Sequence, residues 1–158
     1  VITFYIFAMG YKGLTQHEIF RGIPVATDAD MDVPDEKRSI PQSKKTEIME
    51  KVKGFMENNK PYLDQQLTLP VLADMLAIPR NYLSQAINDE HGMNFFDFIN
   101  TYRVITAREH LEDPEKLGWN ILDIAYESGF NSKATFYLAF KKNTGITPAE
   151  YRKKMKKE

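Results

Sequence analysis

Cysteine is absent from this 158-residue sequence. That gap removes disulfides, thiolate metal sites and cysteine nucleophiles together, and it fits a reducing compartment. Histidine is scarce: His17, His91 and His110 lie scattered, without the paired spacing of a zinc site, so neither a metal nor a cofactor is expected. Excess charge of one sign is missing as well, the net being −1. A nucleic-acid binder usually carries a basic domain, so charge alone does not point to DNA. Its distribution is uneven: residues 1–43 hold four basic side chains (Lys12, Arg21, Lys37, Arg38) against six acidic ones, leaving 17 basic and 16 acidic in the remainder. Carboxylate pairs, nucleophile–base sets and phosphate loops are also lacking, and an enzyme is not expected.

What is present suffices for a folded domain. Apolar residues make up 42%, enough for a packed core, and the length suits one domain of roughly 100–150 residues with a leader. The first nine residues, VITFYIFAM, are apolar apart from Thr3. Nine cannot span a bilayer, which takes about 20 in a helix, and no basic n-region makes them a signal peptide. Two readings stand: the cytoplasmic end of a truncated transmembrane helix with Gly10, Tyr11 and Lys12 at the interface, or part of a soluble sensor. The aromatic followed by lysine favours the first. Residues 1–21 are therefore expected to close such a segment, and 22–43, with Pro24, Pro34 and Pro41 among acidic residues, read as a linker.

From Ser43 the pattern turns helical, with Ile48, Met49, Val52, Phe55 and Met56 at spacings of three and four, ending before Pro61. Further helical stretches follow near 69–76, 80–90, 95–112, 121–128, 133–143 and 148–156, and no alternation marks a strand. An all-α fold over 44–158 is expected, preceded by the irregular linker.

Comparing the chain with itself exposes a repeat. Leu69, Leu72, Ala73 and Ala77 stand 52 residues before Ile121, Ile124, Ala125 and Gly129. At an offset of 53, Tyr82, Leu83, Ala86 and Ile87 match Thr135, Phe136, Ala139 and Phe140, and Gly92 and Asn94 match Gly145 and Thr147. Each copy has a short helix with alanine where a second helix crosses closely, then a tight turn (Ala77-Ile78-Pro79; Gly129-Phe130-Asn131). A second helix follows, with Leu83 and Ile87, or Phe136 and Phe140, on one face. The opposite face offers Asn81, Ser84, Gln85 and Asn88 in the first copy, and Lys133, Tyr137, Leu138 and Lys141 in the second. Gly92 or Gly145 closes it, and Asn94 or Thr147 can cap the next helix, with Pro148 in its first turn. This is the helix-turn-helix arrangement, twice, joined by one amphipathic helix, and two such copies can meet a duplex about one turn, ~34 Å, apart.

In that joining helix Phe95, Phe96, Ile99, Tyr102 and Leu111 are expected to face inward, and Trp119 to pack between the two copies. Arg103 and Arg108 have two options, an acidic neighbour or DNA.

These residues resemble the DNA-binding module of AraC/XylS regulators from about Pro61 to Lys154. The specific part is ILDIAYESGFNSKATFYLAFKKNTGITPAEYRKK, with its Ile-Ala, Gly-Phe, Phe-Lys-Lys and Gly-x-Thr-Pro-x-x-Tyr-Arg; LPVLADMLAIPRNYLSQAINDEHGMNFFDFINTYR resembles the first half. The leader GYKGLTQHEIF resembles juxtamembrane segments of membrane-anchored members. Leu138 stands where many members carry arginine, and Ala77 replaces the usual turn glycine, departures that imply a weaker grip on DNA in the second copy. The resemblance implies a bacterial transcription regulator controlled by an upstream sensor. It implies double-stranded DNA as partner, activation through RNA polymerase, and a cytoplasmic domain tethered to the inner membrane. Asn81, Ser84, Gln85 and Asn88 are the expected base and phosphate contacts of the first helix. Ser132, Lys133, Thr135, Tyr137, Leu138 and Lys141 are those of the second, with Leu138 able to touch only a thymine methyl. Lys142, Arg152, Lys153 and Lys154 would neutralise phosphates. The alternative is a helical protein-interaction module that keeps this fold and has lost DNA.

Overall fold

Helix formation starts at Pro41, whose φ of −56° and missing N–H suit the position before a first helical turn. In the computed structural model, which describes residues 40–155, seven helices follow: α1 (Gln42–Asn59), α2 (Leu69–Leu76), α3 (Arg80–His91), α4 (Phe95–Glu112), α5 (Ile121–Glu127), α6 (Lys133–Thr144) and α7 (Pro148–Met155). Single 3-10 turns at Pro61–Leu63 and Pro114–Lys116 connect α1 to α2 and α4 to α5. The described residues contain no strand. The expected membrane end at 1–21 and most of the linker at 22–43 lie outside the described residues. Among those described, no helix is long and apolar enough to cross a membrane. The first helix begins at Gln42, one residue ahead of Ser43, because Pro41 sets its entry, and Ile40 is already buried in the core.

Capping side chains account for most of the helix starts. Thr68 accepts from the Val71 N–H at the head of α2, and Asn94 from Asp97 at 2.9 Å at the head of α4. Asn120 takes both Leu122 and Asp123 N–H groups, at 2.8 and 2.9 Å, to open α5. Before α7, Thr147 and Glu150 cap each other reciprocally, the Glu150 carboxylate accepting the Thr147 N–H at 2.8 Å. Each such cap contributes about 1 kcal/mol. Ala77 closes α2 in the left-handed region at φ 51°, the conformation for which glycine is the usual residue.

Two cores result, divided along α4. Phe95, Phe98 and Ile99 from its first half pack with Leu72, Leu83 and Ile87. Val104, Ala107 and Leu111 from its second half pack with Ile124, Phe136 and Phe140. Between Ile99 and Val104 the same helix places Arg103, only 9% exposed. Its Nε donates to the Tyr62 carbonyl at 2.7 Å and its Nη2 to the Asp64 carbonyl at 2.9 Å, so the guanidinium of the joining helix holds the 3-10 turn of the first half. The Phe130 ring of the second half lies 5.9 Å from it. Burial lowers the Arg103 pKa, and the charge of Asp64 opposes that shift. Of the two options open to Arg103, it takes neither, because backbone carbonyls satisfy it. Arg108 donates to the Tyr151 hydroxyl at 3.0 Å, and that hydroxyl donates to Glu112, binding α4 to α7.

At the same seam Gly129 adopts φ +88°. A β-carbon there would sit 2.3 Å from the Tyr62 carbonyl oxygen and 2.9 Å from the Leu63 α-carbon. The turn of the second half thus lies backbone against backbone on the first, a contact only glycine permits.

Two expectations need correction. Phe96 is 70% exposed, because Phe95, Phe98 and Ile99 already fill the arc that faces the core. Tyr102 does face inward, half-buried against the first core and stacked on Tyr62 with ring centroids 5.4 Å apart. Trp119 does not lie between the halves. The 3-10 turn after α4 carries it to the edge of the second, where Lys116 Nζ sits 5.1 Å over its ring and His110 lies 6.5 Å away; the Arg103–Gly129 contact already occupies the seam.

Two outcomes follow for stability. Gly129→Ala loses about 2–4 kcal/mol in urea unfolding, from left-handed strain plus the clash with Tyr62. Gly54→Ala, in the interior of α1 with nothing within 4 Å of its added carbon, gains about 0.5–1 kcal/mol; equal effects of the two would contradict the seam contact. His110 has its pKa lowered from 6.5 by burial first and by Lys116 second, so the fold prefers the neutral ring. Its contribution is present above pH 6.5 and is lost as pH falls through the lower folded-state value. His110→Gln therefore flattens the loss of stability between pH 7.5 and 5.5 relative to the parent chain, read by Trp119 fluorescence in denaturant at each pH.

Candidate nucleic-acid interface

The two second helices of the repeat, α3 and α6, are set by equivalent cores. In α3 the buried residues are Leu83, Ala86 and Ile87, and in α6 they are Phe136, Ala139 and Phe140. At 100° per residue the face opposite the core is then Asn81, Gln85 and Asn88 in α3, and Ala134, Leu138 and Lys141 in α6. Ser84 and Tyr137 flank these faces, and Arg80 and Lys133 begin the two helices.

Of the expected contacts in α3, Asn81, Ser84 and Asn88 are exposed. Gln85 is half-buried, and its Oε1 accepts the Ile40 N–H at 3.2 Å, so its carboxamide anchors the chain that leads into α1. Beside it Lys45, 8% exposed, pairs with Asp89 at 2.7 Å. Two bonds therefore fasten the start of α1 to the helix expected to meet DNA. The sequence shows neither, since they join residues far apart in the chain, Ile40 to Gln85 being 45 positions.

In α6, Lys133, Thr135, Leu138 and Lys141 are exposed, and Leu138 at 74% is the most exposed large apolar side chain among the described residues. Ser132 caps the helix by accepting the Thr135 N–H at 3.2 Å, and its hydroxyl donates to that of Thr135 at 2.9 Å. The Lys133 ammonium lies 5.6 Å from the centroid of Tyr137, which is half-buried. Lys142 pairs with Asp97 at 2.9 Å, drawing the end of α6 to the start of α4. Arg152 donates to the Trp119 carbonyl at 2.6 Å, while Lys153 and Lys154 are exposed on α7. Ala134, exposed and in register with Asn81, and Arg80, exposed and in register with Lys133, are outward positions outside the expected set; the 53-residue offset identifies both.

The arrangement offers amides, hydroxyls, a leucine and lysines on two like helices joined by one continuous α4. Among the described residues no three His, Asp or Glu side chains are grouped to hold a metal ion.

Residues 72–154 match the family described as a helix-turn-helix domain, which covers more than half of the chain. The chain belongs to the AraC/XylS family of helix-turn-helix proteins. The melibiose operon regulatory protein of Escherichia coli is 33% identical over 100 residues, 63% of this chain and 31% of that protein. The chain thus spans under a third of that relative. Among solved structures, the C-terminal domain of the two-component response regulator yesN from Fusobacterium nucleatum is 32% identical with a TM-score of 0.53, covering 64% of this chain and 97% of that one. The DNA-binding domain of AdpA, solved in complex with a target DNA, shares the fold at a TM-score of 0.57 and 22% identity, over 70% and 93% of the two chains. The tandem helix-turn-helix architecture of this AraC/XylS member is therefore that of its solved relatives.

Proposed function

We propose that this chain carries the sequence-specific DNA-binding part of a transcription regulator, with α3 and α6 entering two adjacent major-groove segments on one duplex. The observation that carries the reading is the equivalence of α3 and α6: the same cores, the same outward positions and one continuous α4 between them. Regulatory names among relatives above 30% identity support it. One chain then binds as a pseudo-dimer, without strict palindromy in its site. Asn81, Ser84 and Asn88 serve base edges and phosphates in the first segment, since asparagine pairs bidentately with adenine. Lys133, Thr135, Tyr137, Leu138 and Lys141 serve the second, and Ser132 positions its helix start. Lys153 and Lys154 add phosphate neutralisation. Gln85 keeps a place in this set through whichever of its atoms Ile40 leaves available. Control by a sensor region, activation through RNA polymerase and a tether to the inner membrane complete the proposal, supported by the resemblance of the leader and the signature.

The test is selection of bound duplexes from a random-sequence pool at low salt. The expected result is an enriched motif of two parts, centred about one helical turn apart. Asn81→Ala costs about 1–3 kcal/mol and relaxes preference at one base pair of the first part. Lys141→Ala weakens all sequences alike and lowers the salt slope by about 1. No enriched motif, with a helical protein captured instead, would hand the fold to the protein-interaction alternative.

A further inference from the structure

We infer that the two recognition helices read their half-sites by different chemistry: α6 packs Ala134 and Leu138 against the C5-methyl groups of thymines, where α3 presents polar amides. This rests on the DNA-binding reading above and deepens it. The repeat places Ala134 where α3 has Asn81, and Leu138 where α3 has Gln85. Both are exposed, Leu138 by 74%, at the centre of the face opposite Phe136 and Phe140. A leucine held out in water there has little cover among the described residues, and on a major-groove base edge the thymine methyl is the one apolar feature that can supply it.

The polar groups nearby narrow the choice further. The hydroxyls of Ser132 and Thr135 bond each other at the helix start, and Lys142 is paired with Asp97. Lys133 stands five residues before Leu138, beside the Tyr137 ring, and Lys141 three after it, both exposed and suited to the phosphates that border a groove and not to a protein's apolar pocket. Four residues of helix advance about 6 Å, against about 3.4 Å per base step. Ala134 and Leu138 therefore address two thymines no more than two steps apart.

The experiment uses the 158-residue chain with the duplex selected from the random pool, and versions of it in which single thymines are replaced by deoxyuridine, which removes the methyl and nothing else. Substitution at the Leu138 position is expected to weaken binding about fourfold, which is ~0.8 kcal/mol. Leu138→Ala abolishes that ratio at the same base pair while leaving the melting temperature unchanged, as a side chain so exposed requires. Deoxyuridine in the half-site read by α3 changes binding less than twofold. If every deoxyuridine duplex binds like its parent, the methyl-reading role of α6 is overturned while the DNA-binding reading stands. If the pool yields no two-part motif, both fall together.

Discussion

Arg103 sits where α4 passes from one core to the other, and the relation between the halves depends on how that buried cation is satisfied. Its Nε and Nη2 hold the carbonyls of Tyr62 and Asp64 in the first half, while Phe130 of the second half covers the guanidinium. A buried cation that loses its acceptors costs several kcal/mol, so α4 is held firmly to the 3-10 turn of the first half, and Phe130 closes over that joint from the second. Gly129 completes the constraint, bringing the turn of the second helix-turn-helix to van der Waals contact with the backbone of residues 62 and 63. Charge–carbonyl bonds and a backbone contact together resist both sliding and rotation, which hydrophobic contact alone does not.

The rest of the molecule elaborates that seam. α4 supplies apolar residues to both cores, and its ends are fastened by Lys142–Asp97 and by the Arg108–Tyr151–Glu112 chain. α3 and α6 are thus carried as fixed arms, each anchored by three buried residues. With geometry held in common, the outward residues are free to differ. The first arm shows amides and the second a methyl, a leucine and a lysine. The start of α1 is bonded to α3 through Gln85 and Lys45, so the first turn of the described chain is fixed to the second helix of the first repeat.

Much of this was readable from the residues in order. Helix starts rest on side chains three positions from the amides they cap, as with Asn94 and Asp97, and core pairs such as Phe136 and Phe140 lie four apart on one face. Both are local relations, and the repeat offset aligned the two reading faces. The contacts that the residue order does not show are those made with a distant segment. Arg103 bonds a carbonyl 41 residues away and Gln85 an amide 45 away, which no periodicity encodes. Phe96 follows the same helical period as its buried neighbours but falls just outside the occupied arc, and Trp119 is turned aside by the 3-10 segment before it. Of the expected contact residues most are exposed, with Gln85, Ser132 and Tyr137 half-buried, and the partners they have within the protein depended on the fold.

The most direct test of the fixed register is a distance between the arms. Because the chain has no cysteine, Glu90→Cys with Asn143→Cys places spin labels at equivalent exposed positions of α3 and α6, apart from the proposed DNA contacts, and nowhere else. Pulsed dipolar spectroscopy on the free chain is predicted to give one narrow distance distribution, unchanged when duplex is added and broadened by Arg103→Met. A broad or two-peaked distribution in the free parent chain, narrowing only on DNA, would contradict the claim that the seam sets the register in advance.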